Sequence, residues 1–400
     1  MKLPGYIKNC IDKLDAFGYS AYAVGGAVRD TLLGIEPSDW DVTTSATPDE
    51  ILEVFADRRT IPTGIKHGTV TVLMPNGEEN VPIEITTFRI DGEYRDSRHP
   101  ESVEFSSDIL DDLSRRDFTV NAMAFNEKEG IIDAFGGMRD LEGRIIRAVG
   151  EPNKRFTEDA LRILRAFRFS AQLGFEIESS TLEGARSCAH LLRNIARERI
   201  GVEYKKLLAS KGAIYSLEKM IECGVWSALF EIDAPRSSVL ASLSALECDD
   251  ALTRLAVLLS ECTKEQINSF LEGLRLSNAE KKLVCRLVGV KSFMTDGREF
   301  DVTARRFLHF FGDIFEPSVA LLRFYNTQKE ELFAVLEAER LKKRALSLSS
   351  LEIKGSDLLP LCEGDHRQVG ILLKYLLDRV IDDPALNEKE KLIEIAKKSL

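Results

Sequence analysis

The feature that most constrains this chain is a change of periodicity near Gly150-Glu151-Pro152. Before it, short β-type runs at 20–24, 40–44, 69–73, 81–88, 121–125 and 145–149 are separated by Gly, Pro, Asn and Asp punctuation such as Pro75-Asn76-Gly77. After it, apolar residues recur at helical spacing: Phe156, Ala160, Ile163, Leu164 and Phe167, then Leu191, Ile195, Ile200, Leu207 and Leu208. The pattern predicts a small sheet domain with helices over residues 1–150 and helices over nearly all the rest, with breaks at positions such as Gly174, Gly212, Pro235 and Pro384.

Composition excludes several classes. A 400-residue chain that is 44% hydrophobic and 30% charged is neither disordered nor a coiled-coil rod. It has no run approaching the roughly 18 apolar residues of a membrane helix, and its start lacks the apolar core of a signal peptide, so a cytoplasmic location without membrane association is expected. The seven cysteines are scattered, with no CxxC pair and no His at metal-ligand spacing, which argues against disulfide and zinc frameworks. The net charge of −11 disfavours a polyanionic partner unless a local basic patch exists. Residues 151–210 supply one: 11 Lys and Arg against 8 Asp and Glu leave +3 there and −14 elsewhere. A second basic knot, Arg340-Leu341-Lys342-Lys343-Arg344, lies far downstream.

The stretch from Ala23 to Thr44 carries the first chemistry. Strand, Gly25-Gly26 and helix start follow one another, which lets backbone amides approach a phosphate chain; a glycine pair alone fits a plain turn equally well. Asp39 and Asp41, two apart in an expected strand, project from one face. Paired carboxylates are costly neighbours unless a cation joins them, and Mg²⁺ takes carboxylate and phosphate oxygens. A solvated turn accounts for a bare Asp-x-Asp, but a preceding phosphate-type loop favours the metal reading. A dinucleotide-binding fold is set aside, because Ala27 and Asp30 stand where glycines would be required.

GGAVRD, DWD, PTGIKHGTV, EITTFR, RRDFTVNAMAF, DAFGG, IIRAVGEPNKRFTEDALRILRAFRF and ARERIGVEYKKLL, in that order over residues 21–208, resemble the class II tRNA nucleotidyltransferases, the CCA-adding enzymes, within the polymerase-β-like nucleotidyltransferase superfamily. The resemblance implies an α+β fold: a polymerase-β-like catalytic head over 1–150, a helical neck that recognises the base over 151–210, and a helical, tRNA-binding body and tail over 211–400. It implies that Asp39 and Asp41 hold two catalytic Mg²⁺ ions, that Gly25, Gly26 and Arg29 hold the triphosphate, and that Arg116 and Asp117 contact the ribose. The implied substrates are tRNA, CTP and ATP.

Glu158-Asp159-x-x-Arg162-x-x-Arg165 can also be read from chemistry. On a helix, Asp159 and Arg162 are neighbours on one face. Cytosine and adenine both present an amine beside a ring-nitrogen acceptor, so a carboxylate facing the amine and a guanidinium facing the nitrogen accept them and disfavour uracil and guanine. Glu158 would brace Arg162, and Arg165 could reach phosphate; an isolated EDxxRxxR equally fits a surface ladder of ion pairs. Residues 91–100 look like the family's flexible loop. Arg186, Arg193, Arg197, Lys205 and Lys206 are the expected tRNA contacts. Three alternatives to full CCA addition stand beside it: A-only addition, a poly(A) polymerase, and a catalytically silent RNA-binding protein.

Overall fold

A computed structural model describes residues 1–92, 103–293, 299–325, 330–342 and 344–400. Most of the expected flexible loop and Lys343 of the downstream basic knot lie outside these residues. The chain divides into two compact units, Met1–Leu240 with Lys264–Leu276, and Ala241–Thr263 with Ser277–Leu400.

The first unit is built on a seven-stranded mixed sheet. Its strands are β1 (Ala21–Val24), β2 (Asp41–Thr44), β3 (Thr60–Gly64), β4 (Thr69–Asn76) and β5 (Glu79–Thr87). A two-stranded ribbon follows, β6 (Arg89–Asp91) with β7 (Val103–Phe105), and then β8 (Ala124–Asn126) and β9 (Gly130–Ile132) return to the main sheet. The order is β3-β4-β5-β2-β1-β8-β9, with β2 and β5 parallel and the other neighbours antiparallel. Every residue of β1 is buried, so this short central strand tolerates only a run such as Ala-Tyr-Ala-Val. Helix α1 (Gly5–Ala16) lies against β1 and β4 through its apolar stripe Ile7, Cys10, Ile11 and Leu14.

Three departures from the sequence reading have local causes. Strand β3 was not among the expected strands; it carries Pro62 and lies at the sheet edge, where a strand can hold proline. The expected strand at 121–125 begins later, because Thr119–Asn121 forms a 3₁₀ turn and β8 starts at Ala124. Of 145–149, only Ile145–Ile146 is a strand (β10), pairing in parallel with β11 (Glu176–Ile177).

Beyond the sheet, the first unit continues as helices. With α2 (Gly26–Leu32), α3 (Pro48–Val54), α4 (Ile109–Ser114) and α5 (Gly137–Glu142) in the sheet region, the following helices are α6 (Pro152–Glu158), α7 (Leu161–Leu173), α8 (Ser179–Cys188) and α9 (Arg197–Leu208). Phe118 from the sheet region meets Phe169 of α7 edge-on at 5.8 Å. Gly201 of α9 has no room for a side chain: a Cβ there would sit 2.3 Å from the Leu274 carbonyl oxygen. Tyr204, Trp226, Phe230 and Phe270 form an aromatic cluster on the same side of α9.

The second unit is helical throughout its described residues, with a core that includes Leu358, Leu372, Leu376, Val380 and Leu392. The basic knot is largely neutralised within this unit: Arg340 pairs with Glu316, and Lys342 and Arg344 both pair with buried Glu339. No described helix is long and apolar enough to cross a membrane.

Candidate active site

The site begins where β1 ends. Val24 leads into Gly25, whose φ of 72° favours glycine, and α2 starts at the next residue. A Cβ on Gly25 would lie 3.0 Å from Arg116 Nη1, which the flexible end of that side chain could relieve, so it is the backbone angle that calls for glycine. In the sheet, Val24 pairs with Asp41 on one side, and Asp41 pairs with Glu84 of β5 on the other. The glycine turn, the first residue of β2 and a glutamate of β5 therefore converge at one end of the sheet.

Asp39 and Asp41 are exposed, but only Asp41 belongs to β2; Asp39 lies just ahead of it and accepts a hydrogen bond from Ser38 Oγ at 2.8 Å. The Asp41 carboxyl keeps a solvent-facing side while protein atoms crowd it from below. That desolvation, then the charges of Glu84 and Asp39, pushes its pKa up to about 6 against the pull of Arg116. Glu84 was not among the residues expected from sequence. Nothing in EITTFR reveals it, because its relation to Asp41 arises from a parallel strand pairing across 43 residues of chain. Among the described residues no group of three or more His, Cys, Asp or Glu side chains is gathered as a ready metal cage.

Next to this recess is a set of closed ion pairs. Asp112, fully buried, accepts from Arg115 and Arg116; burial pushes its pKa up, but the two guanidinium groups outweigh this and hold it below the usual carboxylate range. Arg116 Nε is buried with no hydrogen-bond partner. Asp117 is 9% exposed and receives Arg165 through Nε at 2.8 Å and Nη2 at 2.6 Å, as well as the Phe118 amide and Asn121 Nδ2. Burial pushes Asp117 upward, yet Arg165, Arg162 and Asn121 bring it down to about 2. Arg165 is therefore committed to Asp117, where the sequence suggested phosphate. Arg29, 8% exposed, reaches Asn121 Oδ1 and Asp30, and stands beside the Phe169 ring together with Arg165 and Arg168.

The expected base-reading helix is broken. Helix α6 stops at Glu158, Asp159 takes an extended conformation (φ −142°, ψ 104°), and α7 begins at Leu161. Asp159 and Arg162 are thus not three apart on one helix. The Asp159 side chain accepts from the Leu161 amide at 3.0 Å, which favours a chain break at this point, and from Arg199 of α9 at 2.8 Å. Arg162 is braced by Glu158 at 2.6 Å, as the four-residue spacing suggested, and also donates to the Arg155 and Arg115 carbonyls. Arg199 is the second residue missed from sequence, although it stood in the quoted ARERIG run. Of the basic residues singled out for tRNA, Arg186, Arg193 and Lys206 are exposed; Lys205 is half-buried, and Arg197 donates to the Leu229 carbonyl at 2.7 Å.

The family model of the poly A polymerase head domain matches residues 21–147, that of the probable RNA and SrmB-binding site of polymerase A matches 174–234, and that of the putative tRNA nucleotidyltransferase domain 2 matches 247–396. A CCA-adding enzyme of Ligilactobacillus salivarius is 34% identical over 98% of this chain and 95% of its own length. The fold is similar to that of the Bacillus stearothermophilus CCA-adding enzyme in complex with CTP, with 30% identity, coverage of 100% and 99% of the two chains and a TM-score of 0.80. A tRNA nucleotidyltransferase complexed with a primer tRNA and an incoming ATP analog is 26% identical, with coverage of 83% of this chain and 98% of that one and a TM-score of 0.65. The chain therefore belongs to the CCA-adding enzymes, a family of tRNA nucleotidyltransferases.

Proposed function

We propose that this chain adds C, C and A in turn to the 3′ end of tRNA, drawing on CTP and ATP without a nucleic-acid template. The observation that carries the reading is the pairing of an unbalanced carboxylate recess, Asp39 and Asp41, with a glycine turn at the same end of the sheet. The tRNA 3′-OH attacks the α-phosphorus, the bond to the leaving phosphate breaks, and pyrophosphate departs toward the Gly25-Gly26 turn.

The donor set suits a hard divalent ion: both carboxylates are exposed, and desolvation, then the charges of Glu84 and Asp39, raises the Asp41 pKa. Asp39 and Asp41 would hold two Mg²⁺ ions, which when bound stabilise charge on the attacking and leaving oxygens. Phosphate oxygens and water complete what the protein leaves open. Arg29 supports the phosphate loop, while Arg116 and Asp117 meet the ribose. Asp159 accepts from the base amine and Arg162 donates to the ring nitrogen; Arg165 acts through Asp117. By role, residues 1–150 form the catalytic head and 151–210 the base-selecting neck. Residues 211–400 form the body and tail that bind tRNA, joined by Arg186, Arg193, Arg197, Lys205 and Lys206.

The test is incubation with a tRNA lacking CCA and with each nucleotide, alone and combined, followed by sizing of the product. Growth by two residues with CTP alone and by three with CTP and ATP is expected. Growth only when A alone is missing from the primer would instead favour an A-adding enzyme, and an open-ended A ladder a poly(A) polymerase.

A further inference from the structure

Three guanidinium groups share one aromatic ring. Phe169 of α7 is 6% exposed, and the guanidinium carbons of Arg168, Arg29 and Arg165 lie 3.8, 5.2 and 5.3 Å from its ring centroid. Like charges do not gather unaided: burial pushes the Arg168 pKa down, Glu203 opposes this, and the charge of Arg165 adds to the fall. Arg165 and Arg168 come from the ring's own helix and have carboxylates of their own, Asp117 and Glu203. Arg29 comes from α2, and its Nη2 lies 3.5 Å from where a Cβ on Gly26 would be, so its guanidinium backs onto the glycine turn. Asp30 and Asn121 accept hydrogen bonds from it, and the Phe169 ring meets it from α7. Phe118 packs against that ring at 5.8 Å and 77°, which limits its rotation.

An aromatic face attracts a cation without carrying net charge. A further carboxylate in its place would hold Arg29 as well but would cancel charge that a phosphate chain needs, and a leucine would fill the space without attracting the guanidinium. We propose that Phe169 is a positioning residue for the triphosphate: its ring holds the Arg29 guanidinium against the glycine turn, so that the turn and the helix carrying Arg162 keep one spacing. The inference rests on the reading that this turn receives the phosphates. In the sequence Phe169 is one more apolar residue of an amphipathic helix; the approach of Arg29 across 140 residues of chain gives its ring a second use.

The test places mono-, di- and trifluorinated phenylalanine at position 169 of the full chain, beside Phe169→Leu and Arg29→Ala variants, with thermal melts to establish that each is folded. Ring fluorination weakens the negative face step by step while leaving its size almost unchanged, which separates attraction from packing. In steady-state addition to a tRNA lacking CCA, KM for CTP should climb with each fluorine, reaching about tenfold for the trifluorinated ring, while kcat changes less. Phe169→Leu should raise KM at least as far. The inhibition constant of CMP, which lacks the β and γ phosphates, should stay close to the parent's. A KM for CTP that is flat across the folded fluorinated chains, beside an Arg29→Ala variant whose KM rises, would overturn the inference and leave the phosphate reading intact. A rise for CMP equal to that for CTP would overturn it too, because the ring would then serve the whole site. An Arg29→Ala variant with the parent's KM would overturn the phosphate role of Arg29 itself, and that of Phe169 with it.

Discussion

Two neighbouring regions of the first unit treat negative charge in opposite ways. In the recess at the end of β1 and β2, Asp39, Asp41 and Glu84 lie near one another, and the cation that opposes them, Arg116, is shared with Asp112. In the girdle beside it, carboxylates have guanidinium groups of their own: Asp117 with Arg165, Glu158 with Arg162, and Asp159 with Arg199. The pKa directions record the contrast, since Asp41 is pushed up to about 6 while Asp117 is held at about 2. Charge left unmet is available to a ligand that brings its own cations. Charge already met holds side chains in place, which suits the girdle to the base and ribose roles proposed for it.

The largest break in the comparison should come from removing the unmet charge. Asp41→Ala or Asp39→Ala should reduce nucleotide transfer by about 10³-fold or more, as expected when several kcal/mol of charge stabilisation are lost, while tRNA binding measured by filter retention stays close to the parent's. Near-normal turnover with Mg²⁺ would contradict the assignment. Breaking a met charge should instead be felt in the fold. Arg165→Ala leaves Asp117 buried without its main partner and should cost about 3 kcal/mol in denaturant unfolding.

The pH dependences should have opposite signs. Asp117 has a depressed folded pKa, so the stability it contributes is present above its unfolded value near 3.8 and is lost as pH falls toward 2; the destabilisation in Asp117→Asn should fade over that window. Asp41 has a raised folded pKa, so without metal it disfavours the folded state above about pH 6 and ceases to do so as pH falls toward 3.8. Asp41→Asn should therefore raise the melting temperature of the chelated protein at pH 7.5, with the gain shrinking by pH 4.5.

The smallest effect concerns the basic surface. Arg193→Glu and Lys206→Glu, both at exposed positions, should each flatten the log–log salt dependence of tRNA binding by roughly 0.7–0.9. An unchanged slope would place the tRNA elsewhere.

What the sequence revealed depended on the range of the interaction. The glycine turn, the Asp-x-Asp pair and the Glu158–Arg162 brace are local, and their spacing alone set them out. The α+β division was legible because periodicity changes once, at Gly150-Glu151-Pro152. Glu84 and Arg199 were not legible, since each meets its partner through tertiary packing. The break at Asp159 lay between these cases. Its tendency to hydrogen-bond a nearby amide was available as a signal, but the helical spacing of the flanking apolar residues runs on through it, and the side chain was free to turn away only because Arg199 of α9 receives it.

The central claim is that the met charges of the girdle select the base while the unmet charges of the recess perform transfer. Single-turnover rates with all four nucleotides in the Asp159→Ala variant test it most directly. The account predicts that addition persists with poorer choice, UTP and GTP gaining about tenfold to a hundredfold on CTP and ATP. A uniform fall in rate with the selectivity ratio unchanged would contradict it and reduce Asp159 to a brace between α6 and α9.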